Sequence, residues 1–299
     1  MRTLTKPPEI NDIEKSINLA STIKSIISLN EPIGISNLRP QQKIWLSELT
    51  NYHYEMLQDN KLNHNKRINF SRFKTQLEWV YDNPSIKRET KFIDDIRNAY
   101  INNGILCPYC GVSPCRTLDH YYNKALLPQF AFLPENLVPC CGDCNKDKGA
   151  KKSFSSWKRI INPYYDNYQK ILTNEPLITV IFKENPYPSV DMSFIVTANN
   201  NLPLKIKKHI NFHLKEIKIG KLHQEMISNS FWRNAKQLRN HKDMLDNGSL
   251  DAATYNRLND IFISINNALD YDWEYIIRFS LYKFKANHWI YTSRLNKLI

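Results

Sequence analysis

Two short cysteine pairs, Cys107-Pro-Tyr-Cys110 and Cys141-Gly-Asp-Cys144, constrain this chain more than any other feature. All six cysteines (107, 110, 115, 140, 141 and 144) fall within one stretch of 38 residues. A disulfide-stapled secreted protein spreads its cysteines through a short chain, whereas clustered Cys-x-x-Cys pairs in a reducing compartment point to metal. Tetrahedral Zn2+ takes four such soft thiolates, and a closed shell of four leaves no position for substrate. The role expected of Cys107, Cys110, Cys141 and Cys144 is therefore a structural zinc site. Thirty residues separate the pairs, so the ion closes a long loop and fixes both its ends. Redox-active or disulfide-bonded pairs are the competing reading. Cys115 and Cys140 are left over, and only Cys141 keeps the two-residue spacing to Cys144.

Between the pairs runs LDHYYNKALLPQFAFLPENLVP, residues 118–139. Thr117-Leu118 reads as the end of a short strand with Asp119 and His120 at its exit. A second extended segment begins at Asn136-Leu137-Val138-Pro139. Asn145 follows the last cysteine, where the chain turns into a basic helix. A carboxylate and an amide oxygen are hard donors, suited to Mg2+ or Mn2+ and poor for zinc. A neutral histidine beside them can take a proton from water as it attacks phosphorus, because its pKa lies near working pH. Each residue also has a simpler explanation. Asp119 and His120 can form a surface hydrogen bond, Asn136 can be a turn residue, and Asn145 can cap a helix.

Taken in order, CPYCG, LDH and ENLVPCCGDCNKDKG resemble the HNH endonucleases of ββα-metal fold, in the version that carries a zinc knuckle. The likeness covers about residues 105–150. It implies that His120 is the general base, that Asp119 and Asn145 bind a catalytic Mg2+ or Mn2+, and that Asn136 orients His120 and its loop. The third motif position is Asn145 in place of the histidine that gives the family its name, an H-N-N form. Lys146, Lys148, Lys151 and Lys152 follow directly and are expected to grip phosphates flanking the cut; a solvated helix face is the alternative. More widely, MRTLTKPPE, DHYYNKALLPQF and INPYYD resemble HNH effectors of bacterial anti-phage systems such as Septu. That likeness implies a partner, an ATPase or other defence-system protein, that restrains activity until infection.

The flanks read mostly as helix. Ile13, Ile17, Ala20, Ile23 and Ile27 recur at helical spacing, as do Trp45, Leu49, Tyr52 and Met56. A further helix is expected from about Glu89 to Tyr100, with Phe92 and Ile96 on one face. LITVIF (177–182) and MSFIVT (192–197) read as paired strands, Pro203 as the opening of a basic helix, and 255–269 as another helix. The expected fold class is α+β: mainly helical, with a central zinc-stabilised ββα-metal module and a short hairpin after it. The expected divisions are a helical region 1–100, the nuclease module 101–160, and a hairpin plus helices 161–299.

Charge adds a partner class. Lys and Arg number 41 against 29 Asp and Glu, a net +12 that favours polyanions through long-range attraction and counterion release. The N-terminal MRTLTKPPEINDIEK has no apolar leader and no run of about 18 apolar residues occurs, so a cytoplasmic protein with no membrane partner is expected. The functional expectation is a metal-dependent endonuclease, with DNA ahead of RNA as substrate. The alternative is a non-catalytic, zinc-stabilised module that binds nucleic acid or a partner.

Overall fold

In the N-terminal half, apolar side chains spaced three and four apart pack the helices on one another and on the cysteine-rich block. The computed structural model of the protein describes residues 12–29, 33–59, 61–83, 91–149, 158–168, 171–172, 175–183, 193–263 and 272–285. The chain forms two compact units, Arg2–Asn167 and Tyr168–Ile299. Helices dominate both, each with one small two-stranded sheet. Among the described residues no helix is long and apolar enough to cross a membrane.

The first unit begins with α1 (Asp12–Ile27) and α2 (Gln42–Asp59), followed by α3 (Lys74–Asp82) and α4 (Phe92–Ile96). Beyond α4 the chain winds more loosely as a π-helical turn over Arg97–Asn102, so the single helix expected to Tyr100 changes its winding midway. Glu89 and the side chain of Phe92 lie outside the described residues. The α2 stripe of Trp45, Leu49, Tyr52 and Met56 is fully buried. Trp45 Nε1 donates to the Gln129 carbonyl at 3.0 Å, and Tyr52 Oη donates to the Glu135 carbonyl at 3.2 Å. Trp45 also meets Phe132 edge to face at 5.4 Å. The expected division at residue 100 therefore crosses a continuous core. Large aromatics on α2 have their partners some 80 residues on, a pairing that no local pattern reveals.

Two short strands complete this unit, β1 (Thr117–His120) and β2 (Leu137–Cys140), followed by α5 (Gly142–Lys148). The strands are antiparallel, with Thr117 opposite Cys140 and His120 opposite Leu137. Gly104, at φ +63°, turns the chain out of the helical region into this block, a conformation that costs glycine little.

In the second unit, β3 (Ile178–Lys183) pairs antiparallel with β4 (Ser193–Ala198), as LITVIF and MSFIVT foretell. There follow α6 (Leu204–Glu216), α7 (Ile219–Leu222), α8 (Gln224–Asp246), α9 (Ala252–Ile263) and α10 (Trp273–Lys285). Val180 and Phe182 point inward from β3, Phe182 lying 4.6 Å from the Phe231 ring of α8. Residues 264–269 of the expected fifth stripe lie outside the described residues. Helices α8 and α10 have no counterpart in the sequence reading.

Glu274 ties those two helices. It accepts from Ser230 Oγ at 2.7 Å and Asn234 Nδ2 at 2.9 Å, and pairs with Arg233 at 2.6 Å and Arg278 at 3.0 Å. Partial burial pushes its carboxyl up, but the donors outweigh burial and hold it below the usual glutamate range. With the folded value below the unfolded one, this stabilisation is present above the ordinary glutamate value of about 4.3 and is lost as pH falls through the folded value. Glu274→Ala should therefore cost about 1–2 kcal/mol at neutral pH, a figure discounted for solvent screening. Urea titrations at neutral and acid pH check this: the gap between variant and wild type narrows at acid pH.

Candidate functional site

The sulfurs of Cys107, Cys110, Cys141 and Cys144 all lie within 4.8 Å of one another, and all four residues are buried. Cys110 and Cys141 are 3.9 Å apart, far beyond the S–S bond of about 2.05 Å and close to the edge of about 3.8 Å in a tetrahedron with 2.3 Å metal–sulfur bonds. None of the six cysteines is in a disulfide. The quartet can hold a metal ion such as zinc. Cys141 also caps α5, its sulfur accepting the Cys144 N–H at 3.4 Å. Cys140 lies outside the quartet, with its sulfur 3.5 Å from Thr117 Oγ1, so the geometry selects Cys141 as the two-residue spacing does.

Asp119, on β1, is 4% exposed. Oδ2 accepts from Tyr109 Oη at 2.8 Å and Oδ1 from Lys148 Nζ at 2.9 Å. Burial and the Asp119 charge push the Tyr109 hydroxyl well above its ordinary value, so it keeps its proton and donates. Tyr109 sits between two cysteines of the quartet and Lys148 closes α5, so both elements grip one carboxylate.

Lys148 departs from its expected place on the nucleic acid. Its side chain is 4% exposed, and its ammonium binds Asp119 and the His120 carbonyl, the latter at 2.8 Å. One turn of helix turns it inward, while Lys146 points to solvent. Lys151 and Lys152 lie outside the described residues.

His120 Nε2 lies 2.9 Å from the Ala131 carbonyl. A carbonyl only accepts, so the proton resides on Nε2 and the lone pair on Nδ1. Burial lowers the imidazole pKa to about 4, against the pull of Ala131 and Asp119, so the ring is neutral near pH 7. Tyr81 of α3 lies edge-on to it, ring centres 4.4 Å apart.

Asn136 is fully buried just before β2. Its Nδ2 donates to the carbonyls of Tyr122 at 3.0 Å and Phe130 at 3.1 Å, and its Oδ1 accepts the Tyr122 N–H at 2.7 Å. Three bonds from one side chain thus tie the start and middle of the β1–β2 loop, which also supplies Ala131. Asn145 Nδ2 donates to Thr117 Oγ1 at 3.1 Å, which places the amide against the strand face that also carries Asp119. The residues 158–166 close the rear of the hairpin. Tyr164 Oη donates to the Leu137 carbonyl at 2.8 Å, and the Arg159–Asp166 pair holds Tyr121 Oη.

Sequence reasoning missed Tyr81, Tyr109 and Thr117. Tyr109 alone carried a signal, its place inside the first cysteine pair.

Among curated proteins, the chain is similar to "Protein ea31" of Escherichia phage lambda. It is 28% identical over 209 residues, covering 64% of this chain and 64% of that protein, so the chain matches just under two thirds of the relative's length. No family model matches, and no solved structure matches.

Two outcomes follow from the geometry. Metal analysis of reduced protein should find one tightly held ion such as zinc per chain, lost in Cys141→Ala and retained in Cys140→Ala; the reverse pattern would assign the wrong cysteine here. Lys148→Met should destabilise by about 3–5 kcal/mol, because it strands the Asp119 charge in a buried site. Lys146→Met, by contrast, should change stability by less than about 0.5 kcal/mol. Parallel denaturant titrations measure both.

Proposed function

We propose that this chain is a metal-dependent endonuclease of the HNH, ββα-metal kind, hydrolysing phosphodiester bonds in nucleic acid, with DNA ahead of RNA. The observation that carries the reading is the placement of His120, whose Nε2–H is fixed on the Ala131 carbonyl and whose Nδ1 is thereby left as the acceptor. Asp119 precedes it on the same strand, and Asn145 lies across from Thr117.

The donor set fits a hard divalent ion such as Mg2+ or Mn2+. Each oxygen of Asp119 accepts one hydrogen bond, leaving a lone pair on each, and Asn145 Oδ1 accepts none among the described residues. When bound, such an ion would polarise the scissile phosphate and stabilise charge on the leaving oxygen. The chain's own part is proton transfer. His120 Nδ1 takes a proton from water as its oxygen attacks phosphorus, the P–O ester bond breaks, and the leaving oxygen is protonated from solvent. Ala131 and Tyr81 keep the imidazole from rotating away, and Asn136 keeps the Ala131 loop in place. The four-sulfur site, closed to substrate, serves as a staple in this reading.

A partner in anti-phage defence, an ATPase or other system protein, remains part of the proposal. A second reading, a non-catalytic binding module, has one observation in its favour: Asp119 is nearly buried and both its oxygens already accept.

Purified protein should cut single- or double-stranded DNA, tRNA or total RNA with Mg2+ or Mn2+, and His120→Ala should lower the rate by about 10²–10⁴-fold. Equal cutting by wild type and variant would sink the assignment of the base. Binding without cutting in both would select the binding module.

A further inference from the structure

Beside His120, three side chains from separate elements meet, two of them from outside the cysteine-bounded block. Tyr81 comes from α3, Arg97 from the π-helical turn, and Lys124 from the loop after β1. Lys124 Nζ lies 4.7 Å from the centre of the Tyr81 ring and the Arg97 guanidinium carbon 5.7 Å from it, while the ring itself abuts the imidazole at 4.4 Å. Both cations are partly exposed and paired with carboxylates: Asp82 at 3.1 Å from Lys124, and Asp94 at 2.9 Å from Arg97.

These pairs differ from the Asp119–Lys148 pair in one physical respect. Asp119–Lys148 is buried and costly to break, whereas Lys124 is 28% and Asp82 55% exposed, and Arg97 is 34% exposed. Exposed ion pairs contribute roughly 0–1 kcal/mol, so either cation can exchange its carboxylate for a phosphate at little cost. Arginine presents a planar fork suited to phosphate oxygens and lysine a mobile point charge. The Tyr81 ring, against which both cations lie, abuts the imidazole that would receive the proton of the attacking water.

We propose that Tyr81, Arg97 and Lys124 form a phosphate-binding lip that seats the nucleic-acid backbone against His120. This rests on the nuclease reading above and adds to it a substrate contact two of whose three members, Tyr81 and Arg97, lie outside the HNH-like segment. Asp82 and Asp94 hold the two cations in place until the substrate arrives. The lip also gives the N-terminal helices a task at the site: α3 and the turn after α4 supply two of its three members.

The test measures binding, independently of cleavage. A His120→Gln background lacks the base yet keeps a polar side chain beneath Tyr81. In it, a fluorescein-labelled single-stranded oligodeoxynucleotide and its duplex are titrated by anisotropy as NaCl is raised. Adding Arg97→Gln and Lys124→Gln together should flatten the slope of log affinity against log salt by about 1.4 for the single strand or 1.8 for the duplex, the loss of two phosphate contacts. Asp82→Asn, which releases Lys124 without removing any cation, should tighten binding about two- to five-fold at low salt, a shift on the scale of one exposed ion pair. An unchanged slope in the double variant, or an Asp82→Asn protein that binds no more tightly, would overturn the lip while leaving the nuclease reading standing. Failure of the background protein to bind either oligonucleotide would remove the lip and DNA as the substrate.

Discussion

Four sulfurs meeting at one point is the constraint on which the centre of this protein depends. The segments they join are too short to persist alone. Strands β1 and β2 have four residues each, and α5 has seven, about two turns where an isolated helix in water needs roughly a dozen residues or more. Convergence of Cys107 and Cys110 with Cys141 and Cys144 fixes where the hairpin begins and where the helix starts. Cys141 does two jobs at once, since its sulfur also caps α5. Once both ends are fixed, the long loop between them loses far less entropy on ordering than a free segment of that length.

What the sulfurs begin, buried polar bonds finish. Asp119 is gripped from the first cysteine pair through Tyr109 and from the end of α5 through Lys148. Asn136 binds the β1–β2 loop to itself, and Tyr52 and Trp45 of α2 bind its carbonyls from outside. Such groups are costly to bury singly and stabilising only when every partner is present, so the arrangement is specific as well as stable. A histidine set in this frame has one orientation and one tautomer. Under the nuclease reading, preorganisation of that kind is what would let the imidazole act as a base.

Much of this was legible in the residues, for identifiable reasons. Cysteine spacing named the quartet because ligand chemistry is local, and apolar periodicity located α1, α2, α6 and the β3–β4 pair because each element carries its own pattern. The inward turn of Lys148 was hidden, because a lysine in a basic run looks like its neighbours until the helix phase is known. Trp45 and Tyr52 read correctly as a buried stripe, but their partners at Gln129 and Glu135 lie far along the chain, so the stripe was credited to a separate region. Helix α8 escaped for a different reason. Its buried Ile227, Phe231, Ala235 and Leu238 follow helical spacing but are diluted by polar residues. The Tyr81 cluster left no mark at all, since nothing in an isolated tyrosine distinguishes a neighbour of histidine from a surface ring.

The clasp behind the hairpin has a consequence for how such a protein changes over time. Tyr164 and the Arg159–Asp166 pair reach back to Leu137 and Tyr121, and α2 seals the opposite side. Recombination that cut at residues 100 and 150 would carry off the recognisable motif and leave behind the contacts that keep it folded. A cut that spares these contacts therefore keeps the whole first unit, from its N-terminal helices to Asn167.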